Sequence, residues 1–352
     1  MRGDLPVAVQ TGDITVPHHA RSSLDPRRTT CAWVESPLQA LSAIEAHSAG
    51  QLGRRTLITP RPGVDSLAPT LEHLAKLRLP EGLSIGTTDD GRRAGRPVDG
   101  RTWVVGDGFS GQVQKELALD GSGQIVVVDD GRATLHLLSL LVDGGPLVRA
   151  RAEAAPTRRL LGRVAGKRLR AAAREHRLTI VTAYDVDPEV RGRLEAMGAR
   201  LRRHRFEWLR EQAVPAAPTQ ATVVLGSAMV DDGLVHLHPY LDWVRAHADE
   251  GPVAYFPHRR ESDQTLDRLR DASDVRVYRP LIPAELSLRG LTSAHRVVCL
   301  PSTTATTLTA VLAGRGTRLV VEPVLEHWWT HRANATVRAL LGGRDLAGTS
   351  AA

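Results

Sequence analysis

Aromatic residues are scarce: Phe 3, Tyr 4 and Trp 6 make up 4% of 352 residues. A core built on stacked rings is excluded, and Leu, Val and Ala must fill the interior. There are two cysteines, Cys31 and Cys299, each inside an apolar strand-like run. They read as reduced core residues of a cytoplasmic protein, not as a disulfide. No Cys/His cluster has zinc spacing, so no metal is expected. No uninterrupted apolar run is long enough to span a bilayer. Residues 1–29 lack the basic-then-apolar order of a signal peptide and, with their Pro, Gly, His and Arg, read as a disordered tail. No repeat at solenoid spacing is present.

What the chain does have is positive charge, a net +7, with basic residues concentrated between Arg149 and Arg177. Two readings stay open for residues 149–177. They form a solvated helix face, or they meet acidic lipid head groups at the inner face of a membrane or an anionic acceptor. Nucleic acid is not expected, because no binding motif and no aromatic stacking platform accompany the run.

The length suits two domains of roughly 150 residues. Short apolar runs alternate with helical patterns, as in α/β proteins. Thr30–Val34, Arg55–Ile58, Thr102–Val105 and Gln124–Val128 read as strands in the first half. The last is apolar on both faces, which suits a buried parallel strand. Pro37–His47 reads as a helix capped by Ser36 with Pro37 in its first turn. Leu178–Ala183 is a further strand among Arg-rich helical segments. Pro215–Pro218 reads as a linker, after which strands at Thr222, Val253, Val275, Arg296 and Arg318 alternate with helices. The expected architecture is two Rossmann-like domains, 30–215 and 219–345, facing across a cleft, with ligands beyond the carboxyl ends of the strands.

Six short motifs could carry chemistry, most of them at such ends. Asp129-Asp130-Gly131 follows the Gln124–Val128 strand. Adjacent carboxylates repel, which raises one pKa and suits a general base; the alternative is an ordinary turn, and a second copy, Asp231-Asp232-Gly233, reads as one. In Tyr255-Phe256-Pro257-His258-Arg259-Arg260-Glu261, a histidine flanked by arginines offers positive charge or donors to a phosphate. Ser302-Thr303-Thr304 opens a helix and reads as an anion site or a plain N-cap. Glu285 in Pro283-Ala284-Glu285-Leu286 reads as an acceptor for ribose hydroxyls or an acid favoured near a helix N-terminus. Glu35-Ser36-Pro37-Leu38-Gln39-Ala40-Leu41 offers Ser36 and Gln39 to the cleft or is a capped helix start, and Gly106-Asp107-Gly108, after another strand, lines the cleft or is only a turn.

In this order the motifs resemble bacterial sialyltransferases of the lipooligosaccharide family, glycosyltransferase family 52, with capsular polysialyltransferases as relatives. The resemblance runs from Val34 to Thr304. It implies a GT-B fold, a CMP donor carrying sialic acid or a related nonulosonic acid, inversion at the anomeric carbon, and no metal or other cofactor. It makes Asp129 the general base with Asp130 beside it. His258, preceded by Pro257, supports the departing phosphate; Ser302, Thr303 and Thr304 bind it; Glu285 takes the ribose. Ser36, Pro37, Gln39, Gly106 and Asp107 fall to the acceptor or cleft. The histidine motif departs from the family, where proline usually follows; here Arg259 does, while His238-Pro239 occurs elsewhere. The partners implied are a CMP-sugar, a glycan or glycolipid acceptor, and a second copy of the chain as a homodimer. The alternatives are a GT-B transferase with a Kdo-like donor, or a non-catalytic nucleotide-sugar-binding protein.

Overall fold

A computed structural model describes residues 29–64, 66–87, 102–119, 123–149, 155–271 and 274–341. The tail expected at 1–29 lies almost wholly outside them. Seven strands form the first sheet: β1 (Thr30–Val34), β2 (Thr56–Pro60), β3 (Leu83–Ile85), β4 (Thr102–Val105), β5 (Gln124–Val128), β6 (Leu178–Thr182) and β7 (Arg200–Arg203). Its order is β3-β2-β1-β4-β5-β6-β7, all parallel. The second sheet holds β8 (Thr222–Leu225), β9 (Val253–Phe256), β10 (Val275–Val277), β11 (Arg296–Cys299) and β12 (Arg318–Val321), also parallel, in the order β10-β9-β8-β11-β12. Two Rossmann-like parallel sheets in one chain are the α/β, two-domain architecture expected from the sequence.

Strand periodicity explains why these runs are apolar throughout. Alternate residues of β5 enter different cores: Val126 and Val128 one, Ile125 and Val127 the other. β1 and β4 divide in the same way, Ala32 and Val104 against Trp33 and Trp103. Helices therefore cover both faces, as parallel sheets require. The second sheet repeats the pattern, with Val224 and Val298 on one side and Val223 and Val297 on the other.

In the first half the helices are α1 (Pro37–Ser48), α2 (Leu67–Ala75), α3 (Gly111–Leu119), α4 (Arg132–Asp143), α5 (Pro156–Arg174), α6 (Pro188–Ala196) and α7 (Glu207–Arg210). In the second they are α8 (Leu237–Asp249), α9 (Asp263–Arg270), α10 (Ala284–Ser287), α11 (Thr303–Val311) and α12 (Ala335–Leu341). Helix α1 starts as its sequence dictates, with the Ser36 hydroxyl accepting from the Gln39 N–H and Pro37 at the first position. It is buried nearly end to end, so its Glu45 is enclosed. That carboxylate accepts from the Trp208 and Leu209 N–H groups at the start of α7, and burial pushes its pKa to about 7. The first core continues across the domain boundary, taking in Leu286 and Val311. Both cysteines are buried, and Cys31 Sγ lies 3.6 Å from Thr59 Oγ1. No helix among the described residues is long and apolar enough to cross a membrane.

Candidate functional site

In each sheet the strand order reverses at one point, between β1 and β4 in the first and between β8 and β11 in the second. Crevices open outside the carboxyl ends of strands at such points. The first is lined by Glu35, Asp107 and Asp130, which follow β1, β4 and β5.

Asp130 accepts at one oxygen from the Gln39 side-chain amide (2.8 Å) and the Ser36 hydroxyl (3.2 Å). Its N–H donates to Thr134 Oγ1, and its other oxygen lies 4.0 Å from Arg149. Asp107 accepts from the Phe109 N–H (2.8 Å) and from Arg149 (2.5 Å). Burial, then the neighbouring Asp130 charge, push Asp107 up to about 6, while Arg149 and the Phe109 N–H pull the other way. Glu35 accepts from Trp33, Ser110 and Arg61. Gly106 makes the arrangement possible, because a Cβ there would stand 2.2 Å from Gln39 Cδ. Thus Ser36, Gln39, Gly106, Asp107 and Asp130, read from separate motifs, form one cluster, with Pro37 setting the helix start that aims Ser36 and Gln39.

Asp129 lies elsewhere. It has no exposed surface, and its oxygens accept from Thr182 Oγ1 and the Ala183 N–H, each at 2.6 Å. His204 Nε2 is 3.4 Å away. The sequence pointed to Asp129 as the base with Asp130 beside it; the structure seats Asp129 among interior partners that tie β5 to the end of β6. Strand alternation is the reason: successive residues leave a strand on opposite sides, and only Asp130 falls on the open one.

In the second domain, His258 follows β9, and Pro257 precedes it. Its N–H donates to Glu261 (2.5 Å), and its Nδ1 accepts from the Arg260 N–H (3.2 Å), which leaves Nε2 as the protonated nitrogen. Burial, then Arg260 and Arg259, push it down to about 4, so the ring is neutral at pH 7. Glu261 is buried and accepts also from Tyr255 (2.5 Å) and Tyr240 (3.2 Å). Burial dominates its pKa, which rises to about 7. Gly226, after β8, leaves room for this carboxylate, since a Cβ would lie 2.0 Å from Glu261 Oε2. The second Asp-Asp-Gly has a task too. Asp232 holds Arg260 through two bonds (2.6 and 3.0 Å), and Asp231 accepts from the Ser262 N–H (3.1 Å), so this turn fastens the His258 loop. His238 is exposed in the first turn of α8.

Ser302 caps α11, its hydroxyl accepting from the Ala305 N–H (3.2 Å). Thr303 and Thr304 lie in the first turn of α11, where backbone N–H groups have no acceptor within the helix. Glu285 is buried, which raises its pKa, and accepts from Thr307 Oγ1 on the next turn of α11. The two domains meet here. Gly131, at φ 70°, lies against Thr303, whose Cγ2 would be 3.1 Å from a Cβ at that glycine. Tyr184, after β6, is buried with its hydroxyl unpartnered; burial and the Asp129 and Glu285 charges raise its pKa well above 10.

Sequence reasoning missed Arg149 and Tyr184, whereas Glu261 orients the His258 loop as its place in the motif suggests. Arg149 was one cation among many in its stretch. Only Phe109, under its guanidinium at 5.8 Å, and the two aspartates distinguish it.

No protein-family model matches the chain, and no curated protein matches it. Among solved structures, it is similar to a UDP-glucose:anthocyanidin 3-O-glucosyltransferase in complex with UDP, with 11% identity, TM-score 0.45, and 85% of this chain and 81% of that one covered. It is also similar to the glycosyltransferase of kitacinnamycin, with 14% identity, TM-score 0.40, and coverage of 86% and 82%. A third is E. coli heptosyltransferase WaaC with ADP-2-deoxy-2-fluoro heptose, with 11% identity, TM-score 0.38, and coverage of 88% and 98%.

Proposed function

We propose that the protein is a glycosyltransferase that moves an acidic sugar, sialic acid or another nonulosonic acid, from a CMP donor to a hydroxyl of a glycan or glycolipid, with inversion and no metal. The observation that carries this reading is the contact of Gly131 with Thr303. It puts a carboxylate-bearing turn of one sheet beside an anion-receptive helix start of the other. The choice of CMP and of an acidic sugar rests on the motif resemblance.

In this mechanism Asp130, the carboxylate with an exposed oxygen, replaces Asp129 as the base. It takes the proton of the acceptor hydroxyl as the hydroxyl oxygen bonds to the anomeric carbon and the bond from that carbon to the CMP phosphate oxygen breaks. Charge growing on the phosphate is met by the Thr303 and Thr304 N–H groups, the Ser302 hydroxyl and the neutral His258 Nε2–H. Pro257 stiffens the approach to His258. Glu285 offers the lone pairs not taken by Thr307 to ribose hydroxyls. Asp129 orders the turn, and Asp107 with Arg149 sets the charge beside the base.

The test offers CMP-, UDP- and GDP-sugars with a sialylated or galactose-ended acceptor and follows nucleotide release. CMP-sialic acid should be consumed. Asp130→Asn should lower kcat about 10³-fold while CMP still binds. Full turnover in Asp130→Asn would remove the base, and use of UDP-sugars alone would remove the CMP assignment.

A further inference from the structure

Helix α5 carries seven Arg or Lys in its 19 residues and no acid. Its buried side is made of Gly162, Ala165, Gly166, Leu169, Ala172 and Ala173. The fit is close, since a Cβ at Gly162 would stand 2.6 Å from the Leu147 carbonyl oxygen. The opposite side is thereby fixed in orientation. It presents Arg159, Arg163, Lys167 and Arg174 at helical spacing, all exposed, with Leu160 at 60% exposure among them. The stripe is roughly 22 Å long at 1.5 Å per residue.

A helix face that is merely solvated ordinarily alternates charge, with opposite signs three or four residues apart. Here Arg159, Arg163 and Lys167 repeat the same sign at that spacing. None of the four stripe cations has a carboxylate partner among the described residues, and Glu175, just past the helix, is taken by Arg177. Among the described residues this repulsion is left uncompensated, so the face is suited to a counter-charge from outside.

We infer that this face of α5 docks on an anionic lipid surface. A bilayer rich in acidic head groups supplies distributed negative charge along a flat plane, matching a straight stripe of cations, and its acyl boundary accepts Leu160. Nucleic acid fits less well, because the face is convex and has no aromatic side chain for a base to stack on. The docked helix is continuous with the site: Arg158 in its first turn donates to the Phe109 carbonyl, two residues from Asp107.

Vesicle flotation tests this with the full chain, independently of any transfer activity. Vesicles of phosphatidylcholine alone are compared with an equimolar mixture of phosphatidylcholine and phosphatidylglycerol. The protein should partition to the mixed vesicles only, and less so as salt rises. Each cation near such a surface contributes about fivefold in partition, so Arg159→Glu/Arg163→Glu/Lys167→Glu should bind about a hundredfold more weakly. The milder Arg163→Gln/Lys167→Gln should lose about 25-fold and tests the same face if the triple variant fails to fold. Arg245→Glu/Arg268→Glu/Arg318→Glu makes the same change in net charge at separated exposed sites and should bind nearly as wild type. Equal loss in that control, equal binding to neutral vesicles, or displacement by duplex DNA at matched phosphate would overturn the inference.

Discussion

Gly106→Ala tests the carboxylate cluster directly. The added methyl would sit 2.2 Å from both Cγ and Cδ of Gln39 and 2.6 Å from its Oε1. Ordinary carbon contacts need about 3.5–4 Å, so the Gln39 side chain must leave its place. It then loses the Glu35 N–H (2.7 Å) at one end and Asp130 (2.8 Å) at the other. A bond to a charged group contributes about 1.5–3 kcal/mol, and a buried N–H left unpaired costs about 1–3 kcal/mol. The sum is roughly 3–5 kcal/mol, which for a domain of this size lowers Tm by roughly 10 °C. Gln39→Ala forfeits the same bonds but clears the space. The double variant should therefore be no less stable than Gln39→Ala, with a coupling of about 3 kcal/mol in the cycle. Calorimetry or circular dichroism melts of the four proteins provide the measurement. A Gly106→Ala melt within about a degree of wild type, or strict additivity, refutes the packing argument.

Two further outcomes concern pH. Glu261 is held near 7 against an ordinary 4.5, so the fold binds more protons than the unfolded chain between those values. Its contribution is therefore present at low pH and is lost as pH rises through about 7. In urea unfolding, Glu261 should lower stability by roughly 2–3 kcal/mol from pH 5 to 8 and Glu45, also near 7, by a comparable amount, so Glu261→Gln should remove about half of the slope; an unchanged slope excludes Glu261 as a source. Asp107, pushed to about 6, gains its charge over the range in which transfer would be assayed. The kcat/KM profile should rise through about pH 6, and the inflection should vanish in Asp107→Asn; its persistence assigns it to another group.

The strands that carry the site were legible because both of their faces are buried. β1, β4, β5, β8 and β11 read as apolar runs with nearly their true limits. β7, Arg-Leu-Arg-Arg, was not legible. At the sheet edge only Leu201 turns inward, and three cations look like a helix or loop. Helix α3 was missed because its first residue is Gly111 and its apolar positions are few, although Ser110 stands at its N-cap position. The helix read from His327 to Leu341 is two pieces, a single 3₁₀ turn at Glu326–Trp328 and α12, separated by residues 329–334. At the site, residue types were legible and directions were not. Asp129 and Asp130 are chemically identical neighbours, and only the strand's pleat decides which one meets solvent. The second Asp-Asp-Gly read as an idle turn because its partners, Arg260 and Ser262, come from a loop about 30 residues on. Arg149 was indistinct for the opposite reason, having too many look-alikes nearby.

The Pro215–Pro218 connector marks a boundary in the sequence, yet it is not where the molecule would come apart under load. Leu286 and Val311 belong to the second half by chain order and are fully enclosed in the first core. A fragment ending at the connector would carry an apolar socket in place of those two side chains and should be prone to self-association. The same plug restrains motion. Wide opening of the crevice would drag two hydrophobic side chains into water, so relative movement of the halves is confined to small sliding or twisting about that joint.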